Sequence, residues 1–169
     1  MPSKERTQIL DHWEIDQKIR RMAHEVYEDH YKEKSLVVVG VKDQGVIVAK
    51  RLVEELRAIS SLEIEVLELD MHKDQPLKHD IHLSGDLSGL KNKVVFVVDD
   101  VLNSGRTLIY GVRFLLAAGP KSLRTVVLVD RIHRTFPIRA DYVGLTLSTN
   151  IKEHIEVEMA GKQHAAYIQ

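Results

Sequence analysis

Cysteine is absent from this chain, which excludes a disulfide framework, a thiolate nucleophile and a thiolate metal site. Charge of one sign is missing as well. Lys and Arg number 24 against 25 Asp and Glu, a formal net charge of -1, so nothing global advertises nucleic-acid binding. Aromatic residues make up only 5%. No repeat, low-complexity tract or linker suggests a second domain. No apolar run approaches the length of a membrane span and no secretory leader opens the chain, so a cytoplasmic protein without membrane contact is expected. What is present is 169 residues, 44% apolar and 29% charged, the composition of one globular domain spanning residues 1–169 with a real core.

The most informative stretch is V-V-F-V-V-D-D-V-L-N-S-G-R-T, Val94 to Thr107. Five apolar residues, four of them valine, end in two aspartates. A run this short, apolar and β-branched fits a strand buried on both faces of a parallel sheet. Asp99 and Asp100 then emerge at its C-terminal end, where open α/β sheets bind ligands. Asn103, Ser104, Gly105, Arg106 and Thr107 follow, small and polar enough to wrap an anion with backbone N–H groups. A helix comes next, with Leu108, Val112, Leu115 and Leu116 on one face and Gly119-Pro120 as its stop. Amide donors and a helix N-terminus together make a phosphate site. The loop is neither G-x-x-x-x-G-K-S/T nor G-x-G-x-x-G. Acids beside a phosphate loop suit a ligand with hydroxyls and a phosphate, as in a ribose 5-phosphate.

The rest of the chain reads as companions to this unit. Residues Met1 to Leu10 form an arm ending in a short strand. Asp11 caps a helix with Glu14 at the capping-box position, and Ile15, Ile19, Met22, Ala23 and Val26 bury one face. Leu36 to Val39 make a second buried strand. It ends in Gly40-Val41-Lys42-Asp43-Gln44-Gly45, before a helix from Val46 to about Leu56. Ile64 to Leu69 is a third strand. The polar segment from Asp70 to Leu90 is long for a loop in a compact fold and is expected to be a lid over the site. His72, His79 and His82, with Asp80 and Asp86, do not have metal-ligand spacing on any helix, so no protein metal site is expected there. Thr125 to Val129 is a further buried strand, ending in Asp130-Arg131-Ile132-His133-Arg134. Asp141 to Leu147 is a short strand. Ile155, Val157 and Met159 alternate with Glu156 and Glu158 as a half-exposed one, and Tyr167-Ile168-Gln169 pairs at an edge.

The central stretch resembles the 5-phosphoribosyl-1-pyrophosphate (PRPP) motif of type I phosphoribosyltransferases. V-D-R-I-H-R-T-F-P-I-R-A-D-Y-V-G from Val129, I-R-R-M-A-H-E from Ile19 and V-G-V-K-D-Q-G-V-I-V-A-K-R-L from Val39 narrow the resemblance. All three are similar to the family of bifunctional pyrimidine-operon regulators and uracil phosphoribosyltransferases (PyrR). The resemblance implies an α/β fold with a central, mostly parallel sheet flanked by helices. A small hood would form from about residues 130–169 with the N-terminal arm. It implies transfer of ribose 5-phosphate from PRPP to uracil, giving UMP and pyrophosphate, in a homodimer or larger homo-oligomer. It assigns Asp99 and Asp100 to the ribose hydroxyls as catalytic residues and Asn103 to Thr107 to the 5′-phosphate. Val41, Lys42, Asp43, Gln44 and Lys73 would serve pyrophosphate, and the backbone at Tyr142 and Val143 the base edge. Mg²⁺ is implied, held by substrate and water, with Asp99 or Asp100 as candidates for a direct contact.

Three departures from the family stand out. Asp43-Gln44 replaces a usual Thr-Arg, removing a cation from the pyrophosphate loop. Asn103 stands where the family commonly has Tyr and purine-type relatives an aspartate base, and Asn cannot act as that base. His72-Lys73-Asp74-Gln75 replaces Tyr-Arg-Asp-Asp, so one lid cation survives as Lys73. Two rival readings follow: an RNA-binding attenuator using nucleotides as effectors, with Lys18, Arg20, Arg21, Lys50 and Arg51 as its basic candidates, or a PRPP-dependent transferase for another base.

Overall fold

The computed structural model describes residues 5–169; the first four residues of the expected N-terminal arm lie outside it. The elements run β1 (Thr7–Leu10), α1 (His12–His30), β2 (Ser35–Val41), α2 (Gln44–Ile59), β3 (Glu63–Asp70) and β4 (His82–Leu83). After a single 3₁₀ turn come β5 (Val94–Leu102), α3 (Arg106–Leu116), β6 (Ser122–Arg131), β7 (Tyr142–Leu147), β8 (Ile155–Glu158) and β9 (Ala165–Ile168).

Six strands form one sheet in the order β4-β3-β2-β5-β6-β7. All its pairs are parallel except β3 with β4. The strand order reverses between β2 and β5, so the loops after these neighbours diverge to opposite sides and leave a crevice at their C-terminal ends. Helices cover both faces, which is why the central strands are continuously apolar rather than alternating. Leu36, Val38, Phe96 and Val98 pack on one side with α1 and α2. Val37, Val39, Val95 and Val97 pack on the other with Leu108 and Leu115 of α3. The fold is the α/β architecture expected from the sequence.

α1 begins as read. Asp11 Oδ1 accepts from the Glu14 N–H at 2.8 Å and Glu14 Oε2 from the Asp11 N–H at 2.8 Å, which satisfies two orphan donors reciprocally. α2 starts two residues earlier than expected and runs to Ile59. Leu116 is not part of the buried face of α3: it is 53% exposed while Leu115 is buried. It lies only one residue beyond Leu115, about 100° further round the helix. The long polar segment is also better anchored than expected, because β4 pairs with the end of β3 and Leu90 of the 3₁₀ turn is buried. A second, three-stranded antiparallel sheet, β1-β9-β8, joins the arm to the C-terminal strands.

Candidate functional site

The C-terminal ends of β2 and β5 open into a cleft of about 510 Å³ lined from four directions. Asp43 and Gln44 come from the turn into α2, and Lys73 and Asp74 from the segment between β3 and β4. Asp99 to Leu108 form the floor, and His154 to Val157 approach from the hood sheet. The sheet twist and the strand-order reversal bring these segments together; sequence proximity does not.

Asp99 and Asp100 lie within β5 rather than after it. Pairing with the long β6 continues through Val101 and Leu102, opposite Val129 and Asp130. Asp99 is buried, and its Oδ1 accepts from the Asp100 N–H at 2.9 Å. Burial pushes the Asp99 carboxyl well above the usual carboxylate range, the Asp100 charge adds to this, and Lys73 pulls it back. Gly45 packs directly on this group: a Cβ there would lie 2.9 Å from Asp99 Oδ1 and 3.0 Å from the Val98 carbonyl. Only a residue without a side chain lets the two loops meet.

The loop from Asn103 to Thr107 folds around Gly105, whose φ of 88° precedes the first turn of α3. A Cβ on it would meet Ile138 Cγ2 at 2.6 Å. Ser104 Oγ accepts from the Arg106 N–H at 3.3 Å. Among the described residues no protein group accepts from the Thr107 or Leu108 N–H, so these orphan helix donors face the cleft for an anion. Behind the loop lies a brace. The Thr135 and Phe136 N–H groups both donate to the Ser104 carbonyl at 2.9 Å. The Arg134 guanidinium donates to the carbonyls of Asn103 (3.0 Å), Arg131 (2.8 Å) and Ile138 (3.0 Å), and to the Asp130 carboxylate. The charges read at the end of β6 therefore hold this loop from behind. Asn103 Oδ1 is buried without a hydrogen-bond partner, an acceptor on the cleft wall that needs a donor.

The remaining candidates divide. Asp43 and Gln44 line the cleft, and Asp43 adopts φ 75° and ψ -121°, outside the left-handed helical region and strained for a residue with a side chain. Lys42 turns away, its Nζ 2.7 Å from Asp70 Oδ2, and Val41 is buried in β2. Tyr142 and Val143 are not among the residues that line the cleft. They begin β7, where Val143 lies in one row with Val127 and Asp99 but two strands from Asp99. The Tyr142 hydroxyl donates to Asp29 Oδ2 at 2.6 Å, burial raises its pKa above the ordinary tyrosine value, and the Val143 carbonyl is taken by Arg21. One wall of the cleft is made by His154 to Val157, whose alternation suggested a strand but not its position.

The lid histidines make no metal cluster. His72 and His79 stack with ring centroids 4.4 Å apart, and His72 Nδ1 accepts from the Gln75 N–H. Among the described residues the one metal-like group is His12, Asp16 and His164, at the joint between hood and core. There the His164 N–H donates to His12 Nδ1 at 3.0 Å. The other ring nitrogen of His12, Nε2, lies 3.4 Å from Asp16 Oδ2. No helix of the described residues is long and apolar enough to cross a membrane.

The family described as a phosphoribosyl transferase domain matches residues 5–162. The bifunctional protein PyrR of Bacillus mycoides is 36% identical over 165 residues, 92% of either chain. That of Oceanobacillus iheyensis is 34% identical over 169 residues, 93% of this chain and 92% of its own. Among solved structures, the hypoxanthine phosphoribosyltransferase of Trypanosoma cruzi superposes with a TM-score of 0.74 at 22% identity, covering 83% of this chain and 81% of that one. A hypoxanthine-guanine phosphoribosyltransferase from Bacillus anthracis gives 0.72 at 21% identity, covering 89% and 86%. Sheet order, cleft position and sequence agree: the chain belongs to the phosphoribosyltransferase family, has its type I fold, and counts PyrR proteins among its relatives.

Proposed function

We propose that the cleft binds PRPP and transfers its ribose 5-phosphate to a nucleobase, uracil first among candidates, giving UMP and pyrophosphate. One observation carries this reading: a buried aspartate, Asp99, and its half-buried neighbour Asp100 lie beside an amide-lined loop at the reversal of strand order. The Thr107 and Leu108 amides, with the Ser104 and Thr107 hydroxyls, suit the 5′-phosphate. Asp99 and Asp100 suit the ribose hydroxyls, whose donors favour the ionised pair. The bond from C1′ to the pyrophosphate oxygen breaks as the bond from C1′ to the base nitrogen forms, through an oxocarbenium-like ribose. The two carboxylates stabilise that positive charge, and the protein otherwise positions its ligands. Lys73, across the cleft from Asp99, offsets pyrophosphate charge.

The oxygen-only donors Asp43, Asp99 and Asp100 fit Mg²⁺, a hard cation that retains waters. When bound, it supplies neutralisation of the pyrophosphate. Asn103 cannot take a proton from the incoming base, so its Oδ1 only orients a base N–H. The proton leaves to water or to the departing pyrophosphate.

The deciding experiment is pyrophosphate release with PRPP, Mg²⁺ and each nucleobase in turn. Release with uracil is expected. Release only with hypoxanthine or guanine would move the assignment to those bases, and none with any base would overturn transfer. The relatives' printed name, a bifunctional protein, keeps RNA regulation as a second reading. Yet Arg20, Arg21, Lys50 and Arg51 are each paired with an acid on the protein. A PyrR-like RNA contact there would have to break those pairs, and an RNA titration at two salt concentrations tests it. A homodimer or larger assembly belongs to the same proposal and is checked by light scattering.

A further inference from the structure

The Gln44 side chain, on the residue where the β2–α2 loop enters α2, crosses to the hood. Its Oε1 accepts from the Met159 N–H at 2.7 Å, where β8 has just ended and Met159 is buried. Among the described residues this is the single hydrogen bond between that loop and the strand whose residues His154 to Val157 form the opposite cleft wall. The bond also fixes the orientation of the amide, since only oxygen can accept from the Met159 N–H. Among the described residues neither side-chain N–H donor has a protein acceptor, on a residue that lines the cleft. The next residue, Gly45, rests against Asp99. Three consecutive residues, Asp43 to Gly45, thus reach the pyrophosphate side, the hood wall and the catalytic carboxylate.

We propose that Gln44 is a positioning residue that sets the hood strand against the β2–α2 loop and offers its amide donors to the leaving group. An uncharged amide can do both at once. An arginine at this position could donate to pyrophosphate but could not accept from a backbone N–H. The departure from a cation at this position is therefore a second way of building the cleft, in which base wall and pyrophosphate loop move together. The inference rests on the transferase reading above, and its test separates the two.

Two substitutions divide the roles. Gln44→Leu removes both acceptor and donors at similar volume; Gln44→Glu keeps the acceptor, loses the donors and adds an anion. Amide hydrogen exchange across residues 155–159 and the KM values for base and PRPP are measured on the wild type and both variants. Gln44→Leu is expected to speed exchange at Met159 and raise the base KM by roughly three- to tenfold, the loss of one neutral hydrogen bond. Gln44→Glu is expected to keep Met159 protected and the base KM near the wild-type value while raising the PRPP KM. Unchanged exchange and base KM in Gln44→Leu, or a base KM in Gln44→Glu matching that of Gln44→Leu, would overturn the proposal. If the wild type turns over no base, transfer is refuted, and the exchange comparison alone decides whether Gln44 holds the hood.

Discussion

Asp99 is a carboxylate held where its charge is expensive. Burial first, then the Asp100 charge, raise its pKa in the folded protein. A raised carboxyl adds stability at low pH, where the native state holds the extra proton, and that contribution is lost as pH rises through the folded value. Above it the fold carries an unfavourable buried anion. Asn at this position still accepts the Asp100 N–H and has no charge. Asp99→Asn is therefore expected to raise the melting temperature by about 2–4 °C, corresponding to ~1 kcal/mol in a domain this size. Transfer should fall by at least roughly a hundredfold, the scale of losing one electrostatic stabiliser. Calorimetry above neutral pH and the pyrophosphate assay check both, and a variant that is less stable yet active would contradict the role. Gly45→Ala tests the same group from the other side. Its methyl would arrive 2.9 Å from Asp99 Oδ1, so lower stability and weaker PRPP binding are expected by thermal shift and titration calorimetry.

Among the elements, the β5–loop–α3 unit was legible because its signals are local. A two-sided strand needs a continuous apolar run, and a sharp loop into a helix needs small residues and a glycine of positive φ. The capping box of α1 and the alternation of β8 were legible for the same reason. What the sequence concealed is register and partner. Nothing near Tyr142 says that its hydroxyl goes to Asp29 or that Arg21 takes the neighbouring Val143 carbonyl, because both partners lie on α1, far away in the chain. Lys42 was read toward pyrophosphate because its partner Asp70 lies on a different strand. Arg134 had a visible signal, a charged cluster directly after a buried strand, but its targets Asn103 and Ile138 are set by tertiary packing. Its planar fork serves three carbonyls and Asp130, which a lysine cannot imitate. Arg134→Lys is expected to lose about 1–3 kcal/mol in urea unfolding and to raise the PRPP KM more than the base KM. Equal stability with equal kinetics would refute the brace.

At the scale of the whole molecule, hood and core meet at His12, Asp16, Arg51 and His164. His164 is buried with Nδ1 unpartnered. Burial lowers its pKa from the usual 6.5, the charges of His12 and Arg51 lower it further, and Asp16 opposes them. The unfolded chain therefore binds a proton that the folded one refuses. Stability is fully present above the unfolded histidine value and is lost as pH falls from there toward the folded one. Thermal unfolding followed across this window should show that loss, and His164→Gln should flatten it. A profile identical in both proteins would place the titrating group elsewhere.

The central claim concerns the cleft itself. It is tested most directly by calorimetric titration of PRPP with Mg²⁺ into the wild-type protein and into the Asp99→Asn, Asp100→Asn double variant. Binding by the wild type, and a loss of at least roughly a hundredfold in a double variant that still folds, is the expected result on the scale of two charge-assisted contacts. Equal affinity in both proteins, or none in the wild type, would contradict it.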